Sequence, residues 1–277
     1  MAFMFRLLSQ LPLPALHMLG TMLGLLASLF SERDRRYIRE NLAIAGLQGR
    51  VPPRAVMMEA GRALMELPWL WTRPQRQIIK KVVAVSGQDV VDAARAQRKG
   101  VLFLTPHLGC FEITAQYLAT QRPITVLYSR PKQDWLVPIV EQGRGANLKL
   151  ATADIACVRA LMRALRAGED IGMLPDQVPG TGEGVWVPFF GKPAYTMTLA
   201  ARLAEGGAPV LLIYAERLPR GAGYRINIRP FPGALDGTRE EKTAAINRAI
   251  EKLIHECPRQ YAWNYNRYKV PAGVAAP

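Results

Sequence analysis

The stretch Val101-Leu102-Phe103-Leu104-Thr105-Pro106-His107-Leu108-Gly109-Cys110-Phe111-Glu112 decides the fold. Its first half is a short apolar run led by a β-branched residue, the pattern of a strand buried on both faces. Pro106 ends the ladder because it has no N–H to donate, so His107 is delivered to a strand edge. Gly109 permits a sharp turn, and the residues from Phe111 to Leu118 read as a helix with Phe111, Ala115 and Leu118 on one stripe. On one continuous helix, five residues turn through about 500°, which would point His107 and Glu112 roughly 140° apart. With His107 on the loop and Glu112 in the first helical turn, the two side chains are expected to meet. A carboxylate at a helix N-terminus stays ionised. It can fix the imidazole tautomer and leave the other ring nitrogen as a base for a hydroxyl. Taken on spacing alone, the pair fits catalytic or structural use.

Outward from this stretch, further strands lead to similar edges. Ile124 to Tyr128 is an apolar run that places Ser129-Arg130-Pro131 at its end, and Ile171 to Leu174 is another, ending in Pro175-Asp176-Gln177. In an open α/β sheet, ligands sit beyond the carboxyl ends of the strands, so His107, Arg130 and Asp176 are expected to converge. Strands are also expected at Val82–Ser86, Val210–Ala215 and Tyr224–Ile228. Helices are expected at 54–67, 89–97, 135–144, 155–167, 196–205 and 238–256. The fold class is therefore α/β, a central mostly parallel or mixed sheet flanked by helices.

Val185-Trp186-Val187-Pro188-Phe189-Phe190-Gly191-Lys192-Pro193-Ala194 is a dense apolar segment with one cation. It suits either a slot for an alkyl chain with Phe189 in its wall and Lys192 at its mouth, or an ordinary core strand and turn. Pro68-Trp69-Leu70-Trp71 suits a membrane interface or an aromatic core corner equally. His17 and His255 read as structural.

The N-terminal region has a different character. From Leu7 to Ser31 there is no Asp, Glu, Lys or Arg. A helix from Pro12 or Pro14 to Phe30 would be about 25–29 Å long, at the short end of what crosses a bilayer core of roughly 30 Å. Arg33, Arg35, Arg36 and Arg39 follow it against Arg6 alone before it, which places the body of the protein in the cytoplasm. The expected organisation is a membrane anchor over 1–31 and a catalytic domain over 32–277, with a cleaved signal peptide and an interfacial helix as the other arrangements.

The formal net charge of +14 points to anionic partners. Basic residues are spread along the chain and form no nucleic-acid module, which argues against a nucleic-acid binder. No nucleotide-binding glycine fingerprint occurs. Cys110, Cys157 and Cys257 have neither disulfide-framework nor metal-ligand spacing, and no metal site is expected. Cys110, between His107 and Glu112, is a small hydrophobe or an activated nucleophile.

The order of elements and their strand-end residues resemble the bacterial lipid A late acyltransferases of the lysophospholipid-acyltransferase superfamily. The motifs are His107-Leu108-Gly109-Cys110-Phe111-Glu112, Tyr128-Ser129-Arg130-Pro131, Leu174-Pro175-Asp176-Gln177 and Val187 to Ala194, and the likeness runs from the anchor to the aromatic-basic stretch Tyr261–Lys269. Where many members carry Asn-Trp before the acid, this chain has Cys110-Phe111. It has Asn264 and Asn266 where Trp or His is common.

The resemblance implies transfer of a fatty acyl group from acyl carrier protein, or coenzyme A, to a hydroxyl of a membrane lipid at the inner membrane, with no further cofactor. It implies catalysis by His107 and Glu112, and substrate binding by Arg130, Asp176, Gln177, Phe189 and Lys192. Two other functions fit the same residues: an acyl-CoA-dependent transferase acting on another phospholipid or glycolipid, and an inactive membrane-surface lipid-binding protein.

Overall fold

A computed structural model describes residues 2–128, 130–131, 133–145, 148–152 and 155–277. The N-terminal part is helical: α1 (Ala2–Leu8), α2 (Leu13–Phe30), α3 (Glu32–Ile44), α4 (Pro53–Thr72) and α5 (Gln75–Ile79). Then β1 (Val82–Ser86) and α6 (Gln88–Ala96) lead into an alternating run of β2 (Leu102–Leu104), α7 (Phe111–Ala119), β3 (Ile124–Tyr128), α8 (Val137–Gly145), β4 (Lys149–Thr152), α9 (Ile155–Arg166) and β5 (Asp170–Met173). The last part holds β6 (Gly184–Phe189), β7 (Lys192–Met197), α10 (Leu199–Ala204), β8 (Val210–Arg217), β9 (Tyr224–Pro230) and α11 (Arg239–Glu256).

Among the described residues, seven strands form one sheet in the order β1-β9-β8-β2-β5-β3-β4. From β8 to β4 every neighbouring pair is parallel, while β9 runs antiparallel to β8. The fold is thus the expected α/β class, with helices burying both faces. β2 sits in the middle, with Leu102, Phe103 and Leu104 wholly buried, which is why its sequence is continuously apolar. Its neighbours β5 and β8 come from later in the chain, so the His107 turn is flanked by two elements remote in sequence.

The helix boundaries follow local chemistry. Ser31 caps α3 by accepting from the Asp34 N–H, and α11 begins with a reciprocal box in which Thr238 and Glu241 each bond the other's backbone N–H. Two helix boundaries and one strand stand out against expectation. α4 runs through Pro68 to Thr72, where the Thr72 hydroxyl donates to the Pro68 carbonyl. Thr196 and Met197 belong to β7, so α10 starts only at Leu199. β4 is a four-residue edge strand whose mixed sequence gives little periodic signal.

Among the described residues, α2 is the one helix long and apolar enough to cross a membrane. Along its inner face, Leu13, Leu16, His17, Gly20 and Gly24 are buried against α4. The two backbones approach so closely that a Cβ on Gly20 would lie 2.6 Å from the Gly61 carbonyl oxygen. Its outer face exposes Met18, Met22, Leu26 and Phe30, and α1 adds exposed Phe3 and Leu7. Arg35 closes the C-terminus of α2 by donating to the carbonyls of Ser28 and Leu29.

Beneath α2 lies a charged cluster. His17 Nε2 is 3.2 Å from Glu66 Oε2, and Arg217 at the end of β8 grips both Glu66 oxygens. The Tyr224 hydroxyl also donates to Glu66, at 2.9 Å. Burial pushes the Glu66 carboxyl up, but the Arg217 guanidinium and the His17 imidazole together hold it down at about 2, from an ordinary 4.5. Because the folded value is depressed, this stabilisation is complete above pH 4.5 and lost as pH falls through 4.5 towards 2, on the order of 3 kcal/mol. Acid-unfolding curves should show Glu66→Gln losing the slope equivalent of about one proton in that window. An unchanged slope would mean that the carboxylate is not held this way.

Candidate active site

β2 and β5 are parallel neighbours with Leu104 opposite Met173, so the residues just beyond them emerge side by side. The His107 backbone N–H donates to Asp176 Oδ2 at 2.9 Å, and His107 Nδ1 lies 2.8 Å from Asp176 Oδ1. Asp176 is 2% exposed. Burial pushes its carboxyl up, yet the imidazole and the two hydrogen bonds from His107 together hold it below the usual carboxylate range. An ionised Asp176 takes the Nδ1 proton as its hydrogen bond, so the neutral ring presents an unprotonated Nε2. The ring is half-buried and packs on Phe111, with centroids 5.0 Å apart.

Glu112 has other partners. It is the second residue of α7 and buried, and its carboxylate accepts from Arg144 Nε at 2.9 Å, from Arg144 Nη2, and from Trp71 Nε1 at 3.1 Å. The expected His107–Glu112 bond is therefore replaced by His107–Asp176 and Glu112–Arg144. The reason is physical. A planar guanidinium offers a carboxylate two charge-assisted bonds where a neutral imidazole offers one. Gly109, at φ +61°, turns the chain so that Phe111 rather than Glu112 faces the ring. Arg144 also lies over the rings of Trp71 and Tyr128, at 5.5 and 5.9 Å.

The other expected site residues fall in different places. Arg130 is exposed at the end of β3, and Gln177 is half-buried next to Asp176; Ser129 lies outside the described residues. Phe189 is buried in the core, with Arg267 5.0 Å over its ring, and Lys192 sits 5.0 Å over Tyr268. The segment that carries them forms the β6–β7 hairpin, held on α11 by Asn247 donating to the Pro188 carbonyl and Glu251 accepting from Phe190 N–H. Of its two readings, the strand and turn is the one formed.

The apolar space lies instead between the sheet and α7. It is a narrow open cleft of about 60 Å³ lined by Phe103, Phe111, Ala115, Leu118, Val126 and Gly172, with Glu112 and Arg144 also in its wall.

Cys110 is buried and free, and its thiol is pushed well up by burial and by the Glu66 charge, which leaves it a packing residue. Cys257 is likewise free and raised to about 12, chiefly by burial. The Cys157 side chain lies outside the described residues. His17 and His255 are placed as expected, the first buried on Glu66 and the second exposed at the α11 terminus.

The closing stretch supports the site from behind. Ala262 N–H donates to the His107 carbonyl, Tyr265 hydroxyl accepts from Val178 N–H, and buried Arg267 donates to Tyr195 O and Thr196 Oγ1. Sequence reasoning missed Arg144, Trp71, Glu66 and Arg217 as parts of this region. For Glu66 the usable signal was a lone charge in an apolar run, Leu64-Met65-Glu66-Leu67.

Comparison with known proteins completes the picture. Residues 1–270 match the family described as bacterial lipid A biosynthesis acyltransferase. The chain belongs to this family. It is 29% identical to the lipid A biosynthesis lauroyltransferase of Escherichia coli K12, over 97% of this chain and 90% of that protein. It is also 29% identical to the palmitoleoyltransferase of the same organism, over 96% and 89%, and 23% identical to its myristoyltransferase, over 87% and 77%. The protein is accordingly an acyltransferase of the lipid A type, which requires a lipid acceptor and an acyl donor.

Two substitutions should separate the two carboxylates. Asp176→Asn keeps the shape but reverses the bond to Nδ1, and should cost about 10³-fold in kcat with KM within about twofold. Glu112→Gln, which unpairs a half-buried Arg144, should lower the melting temperature by several degrees. Steady-state kinetics and thermal unfolding check both. An Asp176→Asn enzyme within about tenfold of wild-type kcat would remove Asp176 from the mechanism.

Proposed function

We propose that the protein transfers a fatty acyl chain from the thioester of acyl carrier protein to a hydroxyl of a lipid A precursor, with His107 as general base. The observation that carries this reading is the double hydrogen bond from His107 to Asp176. With Nδ1–H held by the carboxylate, Nε2 takes the proton of the acceptor hydroxyl as its oxygen attacks the thioester carbonyl. The C–O bond forms, the C–S bond breaks, and the imidazolium returns its proton to the departing thiolate. Asp176 stabilises the imidazolium between these steps. No acyl-enzyme is required, which agrees with the raised Cys110 thiol.

The apolar cleft beneath α7 suits the acyl chain, since burying each methylene is worth about 0.8 kcal/mol. The Glu112–Arg144 pair sets the polar end of that cleft, so Glu112 acts here by holding Arg144 and not by holding the base. Exposed Arg130 at the β3 end suits a phosphate of the acceptor. The +14 charge suits both an acidic carrier protein and an anionic lipid. The lauroyl- and palmitoleoyl-named relatives are equally similar, so that similarity does not select an acyl chain length.

For the membrane, the favoured arrangement is the interfacial one, on the cytoplasmic face of the inner membrane. α2 keeps its inner face, which carries His17, on α4 and turns Met18, Met22, Leu26 and Phe30 outward, where acyl chains can cover them. Exposed Arg33, Arg36 and Arg39 follow α2 in the chain, on α3, and suit lipid phosphates.

Mass spectrometry of lipid A from cells with and without the gene should show one acyl group missing in its absence. Restoring the wild-type protein should return that group, whereas His107→Ala, expected to be slower by about 10²–10⁴-fold, should not. Purified enzyme should use acyl carrier protein thioesters in preference to coenzyme A thioesters. Lipid A of unchanged composition, or full rescue by His107→Ala, would overturn the reading.

A further inference from the structure

Arg217 ends β8 with its side chain 1% exposed, and its fork is spent on four acceptors. Nε donates to Glu66 Oε2 at 2.9 Å, Nη1 to Glu59 Oε2 at 3.0 Å, and Nη2 to Glu66 Oε1 at 2.5 Å and to the Gly109 carbonyl at 3.2 Å. Glu59 is in turn paired with Arg62, and Glu66 with His17 of α2, so two carboxylates face two guanidinium groups around one imidazole.

Such a cluster is costly to bury. Well-packed apolar residues of the same volume would serve stability as well, so stability alone does not account for it. The bond to Gly109 is what distinguishes it. Gly109 lies between His107 and Glu112, at φ +61°, with the Ala215 carbonyl where a Cβ would stand. Its N–H donates to the Gln260 carbonyl at 3.0 Å, and the next N–H, of Cys110, donates to Ala215 at 2.8 Å. Gln260 is itself fixed by Arg217, accepting from its backbone N–H and donating to its carbonyl, both at 2.8 Å. Gly109, which turns the chain from the base to α7, is therefore held at its C=O by the Arg217 guanidinium and at its N–H by Gln260, whose side chain is bonded to the Arg217 backbone.

We infer that Arg217 is a positioning residue for acyl transfer: anchored on Glu66 and Glu59, it fixes the Gly109 carbonyl and thereby the angle between the turn carrying His107 and the helix carrying Glu112. His17 extends the same chain of bonds to α2. Arg217 touches no reacting atom, and the role rests on the reading of His107 as the base. Lysine would keep the charge on Glu66 but has no second arm for Gly109.

The test compares Arg217→Lys with the double variant Arg217→Met, Glu66→Gln, in which both members of the central pair lose their charge. Both are assayed for kcat and KM of acyl transfer, for melting temperature, and for amide hydrogen exchange across residues 105–112. A misplacement of the base by about 1 Å should lower kcat by about 10–100-fold and leave KM within about twofold. Amides 107–112 should exchange faster while the rest of the sheet does not. The double variant should melt within a few degrees of wild type. Arg217→Lys serves as the deciding variant if the double does not fold. Wild-type kcat with wild-type exchange in a folded variant would overturn the inference, as would a loss of activity that only follows the unfolded fraction. If wild type itself transfers no acyl group, the functional reading fails, and the exchange data still decide whether Arg217 holds the turn.

Discussion

One carboxylate receives two N–H groups from a single residue, and the site depends on that contact. By accepting from the His107 backbone and from its ring, Asp176 fixes both where the loop sits and how the imidazole is turned. The backbone bond seats His107 on Asp176, and the ring bond selects its tautomer. The contact is short because β2 and β5 are adjacent and parallel, and it is strong because Asp176 is buried and charged.

On the opposite side of the same turn, β8 supplies Ala215 and Arg217, and the chain after α11 supplies Gln260. His107 thus stands between the two sheet neighbours of β2, with the Gly109 peptide clamped from below. A base must stay in place while proton and acyl group pass it, and this arrangement keeps the flexible element small. The cluster under α2 shows the same economy. Its charges are expensive individually, but together they tie α2, α4, β8 and the turn into one unit.

Much of this was legible in the sequence. The apolar runs before Pro106 and Pro175 announced buried strands, and the rule for open sheets brought His107 and Asp176 to the same edge. The pairing was not legible. Five residues of separation made Glu112 the obvious companion of His107, whereas Asp176 is 69 residues away and becomes a neighbour only through strand order. Spacing reports local geometry, and strand order is decided by how the whole sheet packs. Arg144 was hidden for the same reason, as the last basic residue of α8 with nothing local to mark Glu112 as its partner. The apolar segment from Val185 to Ala194 carried a true hydrophobic signal that fits a core hairpin as well as a slot, and periodicity does not separate the two.

The most direct measurement of the central claim is the nitrogen-15 spectrum of the His107 imidazole, assigned by loss of its signals in His107→Gln. In the neutral ring the account predicts a protonated Nδ1, with its proton shifted downfield by the Asp176 carboxylate, and an unprotonated Nε2. A ring protonated at Nε2, with Nδ1 bare and indifferent to Asp176, would contradict it.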